Sequence, residues 1–238
     1  KDMARVKGVV AESVKRDGYV VLNADNEYCA GISKEVSCNV AYFSMNENNP
    51  VIIEHCKKGG IAAIYENGFI TIKKGDWKFR VQKVTSVPLT FGGRVSFMIQ
   101  NVLAATLATY VYGFATEDIA TSLETFIPSA AQTPGRMNIF DFKEYKVMID
   151  FAHNADGFRG IKEFLSTIES TSKIGIITGT GDRRDDDIRD MGRISAEMFD
   201  HIIIRQDKFL RGRQAEEIVK LLVEGIQQVS PMTSYEYV

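Results

Sequence analysis

The apolar positions in the first half of the chain change from alternating strand and helix patterns to a β-meander. The predicted elements are a helix within residues 3–14, strands at 18–25 and 39–44, a helix at 51–58, strands at 61–66, 69–73 and 77–84, and helices at 96–112 and 116–126. Asn67 and Gly68 favour a two-residue hairpin turn between two of these strands. Thr116, followed by two acidic residues, predicts a capped start for the last helix.

The second half repeats strand and helix patterns in regular order. Residues 127–135 are rich in turn-forming residues and lack periodicity, so we place a domain boundary after residue 133. Beyond it, the pattern predicts strands at 145–150, 174–178, 201–205 and from 235 onward, separated by helices at 155–168, 186–198 and 214–228. This order predicts an α/β domain with a parallel, doubly wound, Rossmann-like sheet.

Three polar clusters directly follow predicted strands of this second domain. They are DFAHN at 150–154, GTGDRRDDD at 179–187 and RQDKFLRGR at 205–213. Since the carboxyl ends of parallel strands meet at one edge of a sheet, we expect the clusters to form one site. The glycines at 179 and 181 are expected to expose backbone N–H groups, and Arg183 and Arg184 offer guanidinium groups that suit phosphate or carboxylate. The acidic run at 185–187 is interpreted as the charge of a helix N-terminus.

Composition narrows the classes of function. With 29 basic and 31 acidic residues the net charge is −2, which gives no general attraction to nucleic acid or to an anionic membrane. No apolar run approaches the ~20 residues that span a bilayer. Three cysteines without a Cys-x-x-Cys pair argue against disulfides and zinc, so we expect a soluble cytoplasmic protein without a metal site of its own.

Catalytic motifs are sparse. No Ser or Cys stands in a nucleophile motif, and the chain contains no Gly-Lys-Ser or Gly-Lys-Thr phosphate loop. Of the three histidines, only His153 lies in a strand-end cluster. Both ends also read as interrupted elements, so we expect a fragment whose remaining catalytic elements lie elsewhere.

Several segments resemble the Mur ligases, which are ATP-dependent amide-forming enzymes. PGRMN at 134–138, followed by DFAHN, is similar to the junction and first strand of their C-terminal domain. The run at 179–187, LRGR at 210–213 and YVVLNAD at 19–25 resemble more specifically the Mur-like half of the cyanophycin synthetase family. The resemblance implies that residues 1–133 are the C-terminal part of a Mur ligase central (ATPase) domain lacking its phosphate loop. Residues 134–238 would be a Mur ligase C-terminal domain, truncated at its end.

The resemblance also implies an activity. Arginine would be joined to the side-chain carboxylate of polyaspartate, the cyanophycin primer, through an acyl phosphate. The cofactors would be ATP and Mg²⁺, with the principal ligands outside this chain. The full-length protein is expected to be a homo-oligomer and the isolated chain to be inactive. Two alternatives stay open: another Mur-type peptide ligase acting on a cell-wall precursor, and a non-catalytic assembly module.

Residue by residue, the resemblance implies a nucleotide site and an amino acid site. Asn101 would lie near adenine, Arg136 at the phosphates and Asp150 at the ribose, with His153 and Asn154 as the catalytic pair that shapes the cleft. The amino acid would be bound by a set of charged residues, in which Arg211 or Arg213 holds its carboxylate and Asp182 or Asp207 accepts a guanidinium. That set is Asp182, Arg183, Arg184, Asp207, Arg211 and Arg213. Phe151 and Ala155 replace the Tyr and Pro that the family motif usually carries.

Overall fold

A computed structural model describes residues 2–206, 210–229 and 233–238. The chain divides into two compact units, Lys1–Pro128 and Ser129–Val238. None of the helices in the described ranges is long and apolar enough to cross a membrane.

The first unit is built on one mixed sheet. Its strands are β1 (Tyr19–Asn23), β2 (Asn39–Ser44), β3 (Ile61–Glu66), β4 (Phe69–Lys74) and β5 (Trp77–Lys83), and its helices are α1 (Asp2–Glu12), α2 (Glu27–Gly31), α3 (Pro50–Lys57), α4 (Ser96–Tyr112) and α5 (Thr116–Thr125). The strands lie in sequence order, with β1 to β3 parallel and β4 and β5 antiparallel. Asn67 and Gly68 both have positive φ, as a two-residue hairpin turn requires.

Each face of this sheet packs against a different helix. Ile70 and Ile72 of β4 are fully buried in the cluster that includes Leu103 of α4. On the other side, Ile64 of β3 belongs to a cluster with Ile52 of α3. The predicted cap at Thr116 is wrong, because Ala115 is the extended N-cap residue and Thr116 is already helical.

The second unit combines a parallel sheet with a separate hairpin. Its strands are β6 (Asn138–Phe142), β7 (Tyr145–Ile149), β8 (Ile174–Ile177), β9 (His201–Ile204) and β10 (Ser234–Tyr237), and its helices are α6 (Ala155–Ser166), α7 (Asp185–Met198) and α8 (Ala215–Val229). The parallel sheet has the order β10-β9-β8, and its apolar core also includes buried residues of all three helices. The predicted α/β fold class is confirmed.

The prediction that the first strand of this unit belongs to the parallel sheet is wrong. β7 pairs along its whole length with β6, from Asn138 opposite Ile149 to Phe142 opposite Tyr145. A partner so close in sequence requires little loop closure, which favours the local hairpin. The cluster at 150–154 therefore follows a hairpin, and only the clusters after β8 and β9 share the carboxyl edge of the parallel sheet.

Candidate functional site

Asp150 joins the segment before β6 to the segment after β7. Its Oδ2 accepts a hydrogen bond from the backbone N–H of Met137 at 3.0 Å, and its Oδ1 accepts one from Ala152 at 2.7 Å. Met137 has a φ of 51°, which is left-handed backbone and strained for a non-glycine residue. Asp150 thus holds a strained turn, and each carboxylate oxygen still has a lone pair for one further donor.

Phe151 brings Arg136 and His153 together. The Arg136 guanidinium carbon lies 5.2 Å from the centre of the Phe151 ring, and the His153 ring meets the same ring at 5.5 Å. His153 Nδ1 lies 3.0 Å from the Phe151 carbonyl oxygen. Since a carbonyl only accepts, Nδ1 is the donor in this contact, and in the tautomer that carries the proton on Nδ1 the Nε2 atom is an acceptor.

Asn154 begins the next element. Its Oδ1 accepts a hydrogen bond from the backbone N–H of Gly157 at 2.8 Å, so Asn154 is the N-cap of α6. The structure therefore places four predicted residues, Arg136, Asp150, His153 and Asn154, in one contiguous cluster around Phe151. We call it the junction cluster.

Arg213 ties together the loops that follow β8 and β9, which we call the strand-end loops. Its side chain is only 20% exposed and donates to the carbonyl oxygens of Gly181 and Arg183, both at 3.0 Å. It also forms ion pairs with Asp185 and Glu217, both at 2.8 Å. Because most of its five donors are satisfied, Arg213 positions these loops rather than offering a free guanidinium.

Arg184 and Arg211, two other predicted arginines of these loops, are paired with carboxylates as well. Arg211 donates to Asp182, and this hydrogen bond lowers the pKa of the Asp182 carboxyl. Arg184 makes two hydrogen bonds to Asp187, at 3.0 and 2.8 Å, which lower the pKa of that carboxyl. The Asp182 and Arg211 side chains are 41% and 53% exposed, so this pair is open to exchange with a ligand.

The glycines before these arginines have a packing role. The prediction that Gly179 and Gly181 expose their backbone is wrong, since both are buried. A Cβ on Gly181 would lie 2.0 Å from the Leu210 carbonyl oxygen, which only glycine permits. The cavity beside Gly179 measures about 10 Å³, the space of one water molecule.

Sequence reasoning did not single out Thr180. Its hydroxyl and the Arg183 Nε are buried, and neither has a hydrogen-bond partner within the described residues. The only signal in the sequence was the position of a threonine between two glycines that pack tightly. These two groups are donors left unused by the fold at the carboxyl edge of the sheet.

The remaining predicted residues lie elsewhere. Asn101 is exposed on α4 in the first unit, and its amide lies 3.8 Å from the Met98 sulfur. Asp207 lies outside the described residues. Within the ranges that the structure describes, no group of three or more His, Cys, Asp or Glu side chains is placed to bind a metal ion.

Comparison with known protein families gives a match in the second unit. Residues 135–237 match the family "Mur ligase, glutamate ligase domain". The fold of the chain resembles that of Mycobacterium tuberculosis folylpolyglutamate synthase complexed with ADP, with a TM-score of 0.65 and 12% identity, over 100% of this chain and 49% of that one.

At the level of sequence, the similarity is more specific. The chain is 45% identical to a cyanophycin synthetase from Geminocystis herdmanii over 236 residues, which is 99% of this chain. It is 31% identical, over 58% of its length, to UDP-N-acetylmuramoyl-L-alanyl-D-glutamate--2,6-diaminopimelate ligase from Prochlorococcus marinus. The resemblance predicted from the motifs is confirmed. The chain spans about a quarter of the length of each of these two relatives, 27% in both cases.

Proposed function

We propose that this chain is part of an ATP-dependent amide-forming ligase that joins arginine to the side-chain carboxylates of polyaspartate. The observation that carries the proposal is the 45% identity to a cyanophycin synthetase over 99% of the chain. The 31% identity to a ligase of the cell-wall type covers only 58% of the chain and favours that alternative less.

The junction cluster suits a nucleotide. Arg136 is exposed and stacked on Phe151, so its N–H groups are available to phosphate oxygens. Asp150 has spare acceptor capacity for ribose hydroxyls. ATP, when bound, supplies the phosphoryl group that activates the substrate carboxylate as an acyl phosphate. Arg136 spreads negative charge on the phosphates as the bond to the carboxylate forms.

Catalysis of this kind depends mainly on position and charge. His153 Nδ1 is engaged with the Phe151 carbonyl oxygen, which leaves Nε2 to accept a proton from the attacking amine. Asn154 holds the start of α6 and keeps the His153 segment in place. We infer that Mg²⁺ takes part, but the described residues do not fit a metal site, and we assign it no ligand in this chain.

The exposed Asp182–Arg211 pair suits the amino acid. Free arginine carries both complementary groups, a carboxylate for Arg211 and a guanidinium for Asp182. Each ligand group would replace the protein partner that is lost when the pair opens. Arg183 and Arg184 flank this position, and Arg213 keeps the two loops in register.

The absence of a Gly-Lys-Ser or Gly-Lys-Thr triplet in the sequence supports an accompanying proposal. The 238-residue chain alone does not turn over ATP, and the activity belongs to a homo-oligomeric protein of greater length. The polyaspartate or cyanophycin primer is the acidic partner.

A chimera tests the function directly. This chain replaces the matching segment of the Geminocystis herdmanii relative, and ADP release is measured with polyaspartate and each of arginine, lysine, glutamate and diaminopimelate. We expect release that depends on arginine and exceeds the other rates at least tenfold. Preference for diaminopimelate would favour the cell-wall type of ligase. A correctly assembled chimera without ligation would favour the assembly module.

A further inference from the structure

An open groove lies on the first unit, and none of its lining residues is assigned a role in the proposed ligase function. Its volume is about 380 Å³, and it is lined by Glu66, Asn67, Thr71, Lys78, Phe79 and Arg80. Small-molecule sites are ~300–1,000 Å³ in volume. Because Ile70 and Ile72 of β4 belong to the cluster with α4, Thr71 between them points to the opposite face of the sheet. We call this space the meander groove.

Glu66 is a buried charge in the meander groove. Its side chain is only 4% exposed, and it forms an ion pair with Lys78, whose side chain is 51% exposed. The hydrogen bond from Lys78 lowers the pKa of Glu66 against the raising effect of burial, with further lowering from Glu47 and Arg80. An ionised carboxylate has acceptor capacity for more than one donor, so Lys78 does not exhaust it.

Thr71 carries a buried hydroxyl group that makes no hydrogen bond to the described residues. The residue is 0% exposed, and Oγ1 has no hydrogen-bond partner within the described ranges. The pairing of β4 with β5 shifts register between Ile70 and Thr71. Such bulges are frequent beside functional sites, where they redirect a side chain. An unpartnered polar atom of this kind in a native protein calls for a ligand or a water molecule.

Arg80 supplies an oriented positive charge on β5. Its guanidinium carbon lies 4.4 Å from the centre of the Phe69 ring, and the side chain is exposed. Stacking on a ring fixes the plane of a guanidinium and keeps its N–H groups suited to a carboxylate.

The charges of the meander groove select against simple ions. A lone anion that reaches Arg80 and Lys78 would meet the Glu66 carboxylate, and a lone cation at Glu66 would meet Arg80. We propose that the meander groove binds a small zwitterion of the α-amino acid type, with its ammonium at Glu66 and Thr71 and its carboxylate at Arg80 and Lys78. This site is independent of the proposed ligase function.

Titration of the 238-residue chain tests the proposal. The probes are L-alanine, L-aspartate and L-arginine, with acetate and methylamine as single-charge controls. Isothermal titration calorimetry measures the binding of each probe. We expect saturable binding of at least one amino acid, at least tenfold tighter than either control. No saturable binding of any amino acid, or equal binding of acetate or methylamine, would overturn the proposal.

Two variants locate the binding, measured by calorimetry. Thr71→Val removes the hydroxyl at nearly constant volume and should weaken binding at least tenfold without lowering the unfolding midpoint. Thr106→Val is the matched control, since the Thr106 hydroxyl is also buried and unpartnered in the described chain but lies on α4 outside the groove. Arg80→Gln, at an exposed position, should also weaken binding at least tenfold. Unchanged affinity in either groove variant, or an equal loss in Thr106→Val, overturns the proposed contacts.

Discussion

The strand-end loops and the meander groove use charged residues in opposite ways. In the strand-end loops, Arg184, Arg211 and Arg213 are each paired with a carboxylate, and the adjacent cavity holds about 10 Å³. In the meander groove, an ion pair between buried Glu66 and half-exposed Lys78 borders about 380 Å³ of space, beside a hydroxyl that has no partner within the described residues. A high density of charged residues in a sequence therefore does not predict whether the site they form has space for a ligand. A ligand can bind in the strand-end loops only by replacing existing ion pairs. The meander groove has open space for a small ligand without such a replacement.

The largest expected effect comes from the tight packing of the strand-end loops. Gly181→Ala places a methyl group against the Leu210 carbonyl oxygen and should lower the free energy of unfolding by about 3 kcal/mol. Urea unfolding followed by circular dichroism measures the change. Gly31→Ala is the control, because Gly31 has open space around its Cβ position and an ordinary helical φ, and should be neutral or slightly stabilising. A neutral Gly181→Ala would mean that the loops are not packed as described.

The second largest effect is expected from the removal of the Arg213 side chain. Arg213→Ala removes bonds to Gly181, Arg183, Asp185 and Glu217, and should cost about 2–3 kcal/mol. Arg184→Ala is the matched control. Its side chain is 84% exposed, so its loss should cost no more than about 0.5 kcal/mol. Equal effects of the two variants would contradict a positioning role for Arg213.

The ion pair between buried Glu66 and half-exposed Lys78 predicts a pH dependence. The pKa of Glu66 is lowered in the folded chain from its usual 4.5, chiefly by the hydrogen bond from Lys78. Below that pH the native state binds fewer protons than the unfolded state, so the stability from the pair is present above pH 4.5 and lost as pH falls through the lower, folded pKa.

Glu66→Gln tests this dependence. It should cost about 1–3 kcal/mol at neutral pH, and the difference from the parent chain should shrink steadily below pH 4.5. Urea unfolding followed by the fluorescence of Trp77 reports on this unit. A difference that stays constant from pH 7 to pH 3 would show that Glu66 is not ionised as described.

The smallest effect is expected at Asn154 in the junction cluster, where two variants distinguish its role as a helix cap from a chemical role. Asn154→Ala removes the N-cap of α6 and should cost about 1 kcal/mol, whereas Asn154→Asp keeps the capping oxygen and should be nearly neutral. Thermal unfolding measures both. If Asn154→Asp destabilises as much as Asn154→Ala, the hydrogen bond to Gly157 is not the source of the stability.

Sequence reasoning predicted local features well where a few neighbouring residues decide them. Asn67 and Gly68 specify their hairpin because the turn needs positive φ at both positions. β6 was missed because Asp141 interrupts its apolar pattern next to a turn-rich segment, and only its pairing with the predicted strand β7 reveals it.

Contacts between distant segments could not be predicted in the same way. Gly181 was expected to expose its backbone N–H group, and only the three-dimensional structure shows Leu210 packed against it. The sequence likewise gives no sign that the Thr71 hydroxyl lacks a partner among the described residues, because a missing hydrogen bond depends on every surrounding element.

The most direct test of the account concerns Asp182, which we assign to the guanidinium of the substrate. In the chimera, Asp182→Asn should raise the KM for arginine at least tenfold while kcat changes less than threefold, because the interaction serves binding of the amino acid. The half-exposed pair with Arg211 should make the variant fold normally, with an unchanged unfolding midpoint. A KM for arginine equal to that of the unmodified chimera would contradict the assignment of the strand-end loops to the amino acid.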